Sequence, residues 1–390
     1  MGKVTYFLGA GASAGGDTVD RGMEYYNTQG FPYMGNGIPI VRDTPGVFSN
    51  FVKQISETLY NDYIKGKSEN SAIKDVRDNY PFFLLLEEML RELEIHTTFD
   101  TIARKYWLMG RKEDLNRLKF FMNIFFIWLQ MRNDFDKRYD KFLSIILKKN
   151  KNNIYLPNDF NFISWNYDMQ FELAALSYFR SIAVIDTLFK KTGVIPYVGN
   201  PNYKTQENIY EQDKFNFIKL NGIAGILNNQ DLISPIYDDN FDVNEEISLL
   251  KDRISKFDLK KLIDFIIARQ NNITQFNAGT LQFAFEKTEK QKNALDAAKK
   301  IMNQTSTLIV IGYSFPYFNR DIDISLLSEL KGAVEIIIED LNPNLPLAIV
   351  QDIIRRLNKN TIKSSVTFTP LSDVSQFHIP FDFQHGEYIQ

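Results

Sequence analysis

Hydrophobic positions follow two different spacings along this chain, and the change between them divides it. Near the N-terminus Tyr6-Phe7-Leu8 run directly into Gly9-Ala10-Gly11-Ala12-Ser13, a buried strand entering a glycine-rich turn. From 45 to 150 the apolar residues instead recur at three- and four-residue steps, in segments 47–64, 82–94, 99–110 and 113–131. These read as helices, with Asp114 placed to cap the last of them, and no strand candidate competes. Strand signals return at 160–165, 215–220, 307–314, 333–340 and 365–370, several as near-continuous apolar runs suited to strands covered on both faces. Helical patterns at 170–180, 287–304 and 346–358 lie between them. The order predicts an α/β fold: a doubly wound, parallel, Rossmann-like sheet with a helical module inserted after its first strand. The expected boundaries are a sheet domain over 1–44 and 158–375, a helical insertion over 45–157, and a small helical excursion within 240–300.

Composition narrows the chemistry. The 390 residues are 44% hydrophobic, enough to bury a large core in one elaborate domain or two. Lys plus Arg number 45 against 48 Asp plus Glu, so no basic field argues for nucleic acid. The cluster Lys148, Lys149 and Lys151 reads as a solvated helix end. Having no cysteine, the chain has no disulfide, thiol nucleophile, Cys-based zinc site or iron–sulfur cluster. Three histidines, His96, His378 and His385, argue against a multi-histidine metal centre, so no metal is expected. The first residues lack a secretory pattern, and the apolar stretch 120–131 falls short of the ~20 residues a bilayer requires. The expectation is a cytoplasmic protein with no membrane segment.

In open parallel sheets ligands bind beyond the C-terminal strand ends. Here those ends carry Gly9-Ala10-Gly11-Ala12-Ser13, then Asn166 and Asp168, then Asn221-Gly222, then Gly312 and Ser314, then Asp340 to Asn344. Singly, each has a plain explanation as a helix cap or a turn. Together they are what a nucleotide crevice needs, with the glycine turn offering backbone N–H groups to a diphosphate. A dehydrogenase-type site would place an acidic strand end about 20 residues after the turn. Residues 15–36 are polar and glycine-broken, and no Gly-Lys-Ser/Thr follows, which excludes a P-loop.

These residues resemble the sirtuin-like superfamily of NAD-consuming proteins. The ordered motifs are Gly9, Ala10, Gly11 and Ser13; Gly37, Ile38, Pro39 and Arg42; Asn166 and Asp168; Lys219, Leu220 and Gly222; Gly312 and Ser314; and Asn342. The match covers 4–42 and 160–344, leaving the helical insertion without motif support. Absence of the Cys₄ zinc module points within the resemblance away from deacylases and toward bacterial sirtuin-like defence proteins, which hydrolyse NAD on phage infection.

The resemblance implies an NAD glycohydrolase giving nicotinamide and ADP-ribose, the toxic effector of an antiphage system. It implies NAD as substrate, no zinc, and control by homo-oligomerisation or by a partner encoded in the same operon. Asn166 would orient water and ribose, Asp168 would hold its loop or bond the ribose, and Asn221 occupies the position of the family's histidine base. Pro39 and Arg42 would shape the nicotinamide end. Gly9, Ala10, Gly11, Ser13, Gly312, Ser314 and Asn342 would take the diphosphate and adenosine side. The segment between Ser13 and Gly37 suits a flap or a plain surface loop. Because a carboxamide takes no proton at neutral pH, Asn221 leaves open an alternative, a catalytically silent NAD- or ADP-ribose-binding regulatory subunit.

Overall fold

The computed structural model describes residues 3–14, 44–63, 72–132, 135–150, 153–176, 178, 210, 212–224, 259–269, 281–331, 334–358 and 365–383. At its centre is β1 (Lys3–Leu8), with β4 (Phe160–Ser164) and β5 (Asn216–Lys219) on one side and β6 (Thr305–Ile311), β7 (Val334–Glu339) and β8 (Val366–Leu371) on the other. All five pairings are parallel, giving the order β5-β4-β1-β6-β7-β8. Counted within this sheet alone, that is the 3-2-1-4-5-6 order of the doubly wound fold, with its switch point beside the central strand.

Side-chain alternation explains the two covered faces. Val4, Tyr6 and Leu8 of β1 join Phe160, Phe162, Phe217, Ile309 and Ile311 in one core. Phe7 joins Ile163, Ile218, Leu308 and Val310 in the other. The first face is covered by α6 (Lys137–Ile146), α7 (Gln170–Leu176) and part of the C-terminal segment, the second by helices Glu289–Asn303 and Asn344–Asn358. Buried on both sides, the strands are largely apolar, and their buried polar residues bond across the sheet, Thr5 to Thr305 and Asn216 to Asn161.

The helices after β1 are α1 (Thr44–Tyr63), α2 (Ala72–Asn79), α3 (Pro81–His96), α4 (Phe99–Leu108) and α5 (Lys112–Arg132). They share a third core built around Phe48, Phe51, Phe125 and Trp128, and helix Leu259–Arg269 adds Leu262, Ile263 and Ile266 to it. Thus helix Leu259–Arg269 of the expected 240–300 excursion packs into the same core as the insertion, whereas Ala294, Ala297 and Ala298 of Glu289–Asn303 pack onto the sheet. The expected 45–157 module divides, because α6 turns its Tyr139, Phe142 and Leu143 onto the sheet. Helix α5 begins at Lys112, so Asp114 lies inside its first turn, bonded to Arg111 and Arg117, and does not cap it. The lysine run is not a helix end either: β2 (Lys148–Asn150) and β3 (Asn153–Tyr155) form a short antiparallel hairpin. Among the described residues no helix is long and apolar enough to cross a membrane.

Candidate functional site

Parallel strands bring the C-terminal ends of β1, β4, β5 and β6 to one edge, and a cavity of about 160 Å³ opens there beneath α4 and α5. Gly9, Ala10, Asn166, Asp168, Asn221, Gly312 and Ser314 line it. Gly11, Ser13 and Asn342 do not. Pro39 and Arg42, like the rest of 15–43, lie outside the described residues.

The glycine turn has a different purpose from the one its composition suggests. Gly9 N–H donates to Ile311 C=O at 2.9 Å and Gly11 N–H to Gly312 C=O at 3.0 Å, so these amides are spent on the β6 turn and are not offered to a diphosphate. A Cβ on Gly9 would stand 2.5 Å from the Gly312 oxygen and 2.6 Å from Tyr313 Cα. One on Gly11 would meet Gly312 Cα at 2.7 Å. Gly312 itself has φ +57°, and its own Cβ would fall 2.5 Å from the Gly11 carbonyl carbon. These glycines exist to let two turns interlock. Three residues on, buried Phe315 adopts φ 52°, an outlier for a bulky side chain, held by Arg320 donating to its carbonyl at 2.8 Å.

Asn166 is the best-positioned polar group. Its amide Nδ2 donates to Gly9 C=O at 2.8 Å and to Ser13 Oγ at 3.1 Å, while its backbone N–H donates to Ser164 Oγ at 3.0 Å. Both amide hydrogens are therefore committed to β1's turn. The carboxamide oxygen is left as the acceptor with capacity for a ligand. Ser13 is buried and shares its hydroxyl with Tyr139 at 3.2 Å, so it orients Asn166 from behind.

Asp168 accepts from Gln170 N–H at 3.1 Å and faces Lys219. Burial raises its pKa; the Lys219 charge, the Gln170 amide and the Ser13 hydroxyl oppose that shift. Lys219 donates to the Asp168 carbonyl and pairs with buried Glu172 at 2.7 Å, anchoring the loop from beneath. A second buried pair, Asp136–Arg138 at 2.6 Å, ties the glycine turn to the C-terminal segment, because Arg138 also donates to Gly11 C=O at 2.7 Å and Val374 C=O at 3.3 Å.

Asn221 reaches the cavity, but its amide works as a bracket. Nδ2 donates to Trp165 C=O at 3.2 Å, and Oδ1 accepts from Ala284 N–H at 3.2 Å. Its neighbour Gly222, at φ 71°, bridges Leu281. Asn342 sits exposed beyond β7, its backbone N–H turned to Asp340 Oδ1 at 2.9 Å.

Sequence reasoning missed the opposite wall. Thr98, Phe99 and Asp100 open α4, Phe125 and Phe126 belong to α5, and Tyr167 lies between the two recognised motif residues. The Tyr167 hydroxyl donates to the Asp100 carboxylate. Burial raises the Asp100 pKa, opposed by the Tyr167 bond and its own backbone N–H. Tyr313 donates to both oxygens of buried Asp323 at 3.1 Å, which burial pushes up to about 8. No group of His, Asp or Glu able to hold a metal occurs among the described residues. Compared with known proteins, the sequence matches no family model, and no curated protein matches it.

Proposed function

We propose that the protein binds NAD in this cavity and hydrolyses it to nicotinamide and ADP-ribose. One observation carries the reading: Asn166, with both amide hydrogens locked onto Gly9 and Ser13, presents a fixed acceptor in a cavity at the switch point of a doubly wound sheet. In the reaction the bond between the nicotinamide nitrogen and ribose C1′ breaks, its electron pair leaving with nicotinamide. Water adds to the resulting oxocarbenium carbon and loses a proton. A fixed acceptor orients that water or a ribose hydroxyl, and positioning is the contribution such a cleavage asks of the protein. Asp168 holds the loop that carries Asn166.

The sirtuin-like resemblance extends the proposal to a cytoplasmic toxic effector of bacterial antiphage defence, restrained by oligomerisation or by a partner. Leu108 and Met109, exposed at the end of α4, offer apolar surface for such a contact. The decisive experiment incubates the purified protein with NAD, with and without its operon neighbours, and quantifies nicotinamide. Asn166→Ala should lower release about 100-fold while the protein still unfolds cooperatively, at a melting temperature a few degrees below wild type because two buried hydrogen bonds are lost. Equal release by the two proteins would overturn the role of Asn166.

A second reading, a regulatory subunit that binds NAD or ADP-ribose without cleaving it, is favoured by one feature. Asn221 stands where the resembled family has its base, and both ends of its amide brace the backbone. Binding of NAD with no nicotinamide release under any of these conditions would establish that alternative.

A further inference from the structure

The cavity's walls are chemically lopsided. Phe99, Phe126, Trp165, Tyr167 and Tyr313 line it, yet no Lys, Arg or His is among the described residues that do. Two carboxylates belong to the lining, and they differ. Asp168 is occupied from below by the Gln170 amide, the Ser13 hydroxyl and the Lys219 charge. Asp100 is held by the Tyr167 hydroxyl and its own backbone N–H, and no cation is among the described residues that line the cavity with it. It also lies in the first turn of α4, where the helix N-terminus favours negative charge. An aromatic-walled cavity whose described lining holds a carboxylate and no counter-charge is suited to an organic cation. The ring faces attract positive charge, and a bound cation relieves the burial that now works against the carboxylate.

We propose that Asp100, clamped by Tyr167, recognises the positively charged nicotinamide ring of NAD, so that the helical module supplies the charge selectivity of a site otherwise built from strand ends. The proposal rests on the NAD reading above and adds a direction to it. The nicotinamide end lies toward α4 and α5, and the rest of the dinucleotide extends along the β1 and β6 turns. Cleavage leaves the ring neutral, so the same carboxylate holds substrate in preference to released nicotinamide.

Equilibrium binding of oxidised NAD, reduced NAD and ADP-ribose to the full-length protein tests this. The reduced form differs in having an uncharged ring. Wild type should favour oxidised over reduced NAD by about tenfold or more, as expected for a desolvated charge pair. Asp100→Asn should bring that ratio close to one and leave ADP-ribose affinity within about twofold, which a merely structural role would not do. Tyr167→Phe keeps the ring and the carboxylate but removes the clamp, and should lower the ratio about two- to threefold. It also serves as the test if Asp100→Asn does not fold. A ratio near one in wild type, or a high ratio unchanged in both variants, overturns the assignment of Asp100 alone, because binding itself persists. Failure of wild type to bind NAD or ADP-ribose removes the NAD reading and this inference together.

Discussion

Asp323 lies with its carboxylate fully buried on helix Arg320–Leu327, accepting from the Tyr313 hydroxyl while Asn319 donates to that same hydroxyl at 3.2 Å. Burial is the main cause lifting its pKa to about 8, against the smaller opposing effects of Tyr313, Arg320 and Trp165. Between the unfolded carboxylate's ordinary value and 8, the native state keeps a proton that the unfolded chain has lost. The unfolded state then binds fewer protons, and stability falls as pH rises. Each pH unit in that window is worth about 1.4 kcal/mol, so this group alone removes roughly 2.7 kcal/mol between pH 5 and pH 7. Against a typical stability of about 5–15 kcal/mol that is readily measured. Asp323→Asn keeps the shape and an acceptor for Tyr313 but abolishes the titration. Urea unfolding at pH 5, 6, 7 and 8 should show the variant gaining on wild type by about 1.4 kcal/mol per unit, with the advantage levelling off above pH 8. Parallel stability curves for the two proteins would refute the reasoning, since they would mean that Asp323 ionises alike in both states.

Two further substitutions test the supports of the site. Gly312→Ala drives a methyl group into the Gly11 backbone at a positive φ, and should destabilise by about 3 kcal/mol, visible as a lowered urea midpoint with unchanged slope. Lys219→Met strands Glu172 and frees the Asp168 carbonyl, with an expected loss of about 3–5 kcal/mol at pH 7 that shrinks when Glu172→Gln is added in a double-mutant cycle.

Which of these features the sequence reveals depends on how local their cause is. β1, β4 and β6 declare themselves because a strand covered on both faces is largely apolar, and parallel pairing then gathers Gly9, Asn166, Asn221 and Ser314 at one edge. The roles of those residues are less legible. Nothing in the order Gly9-Ala10-Gly11 says that the glycines meet a backbone 300 residues away and not a phosphate. Asn221 reads as a ligand for the same reason: its partners, Trp165 and Ala284, are remote in sequence. Asp100 is hidden in a different way. An acidic residue two positions after the Thr98 cap is ordinary helix-start chemistry, and only the docking of α4 over the strand ends turns it toward the cavity. The division of the 45–157 segment is likewise invisible locally, since Tyr139 and Phe142 of α6 carry the same helical spacing as Phe48 and Phe51 of α1 but face another core.

The central position of β1 has a consequence for the order in which the cavity is completed. β1 is synthesised about 300 residues ahead of its neighbour β6, which starts at Thr305, aligned with Lys3. At about 5–20 residues per second, a ribosome needs roughly 15–60 s to deliver it. Until then the Gly9 turn has no Gly312 turn to interlock with, and the cavity lacks the wall formed by Tyr313 and Ser314. Nascent chains that extend past Asn166 but end before β6 therefore carry Asn166 without a completed site. By its strand order, then, the cavity at the switch point is one of the later features of the sheet to be completed.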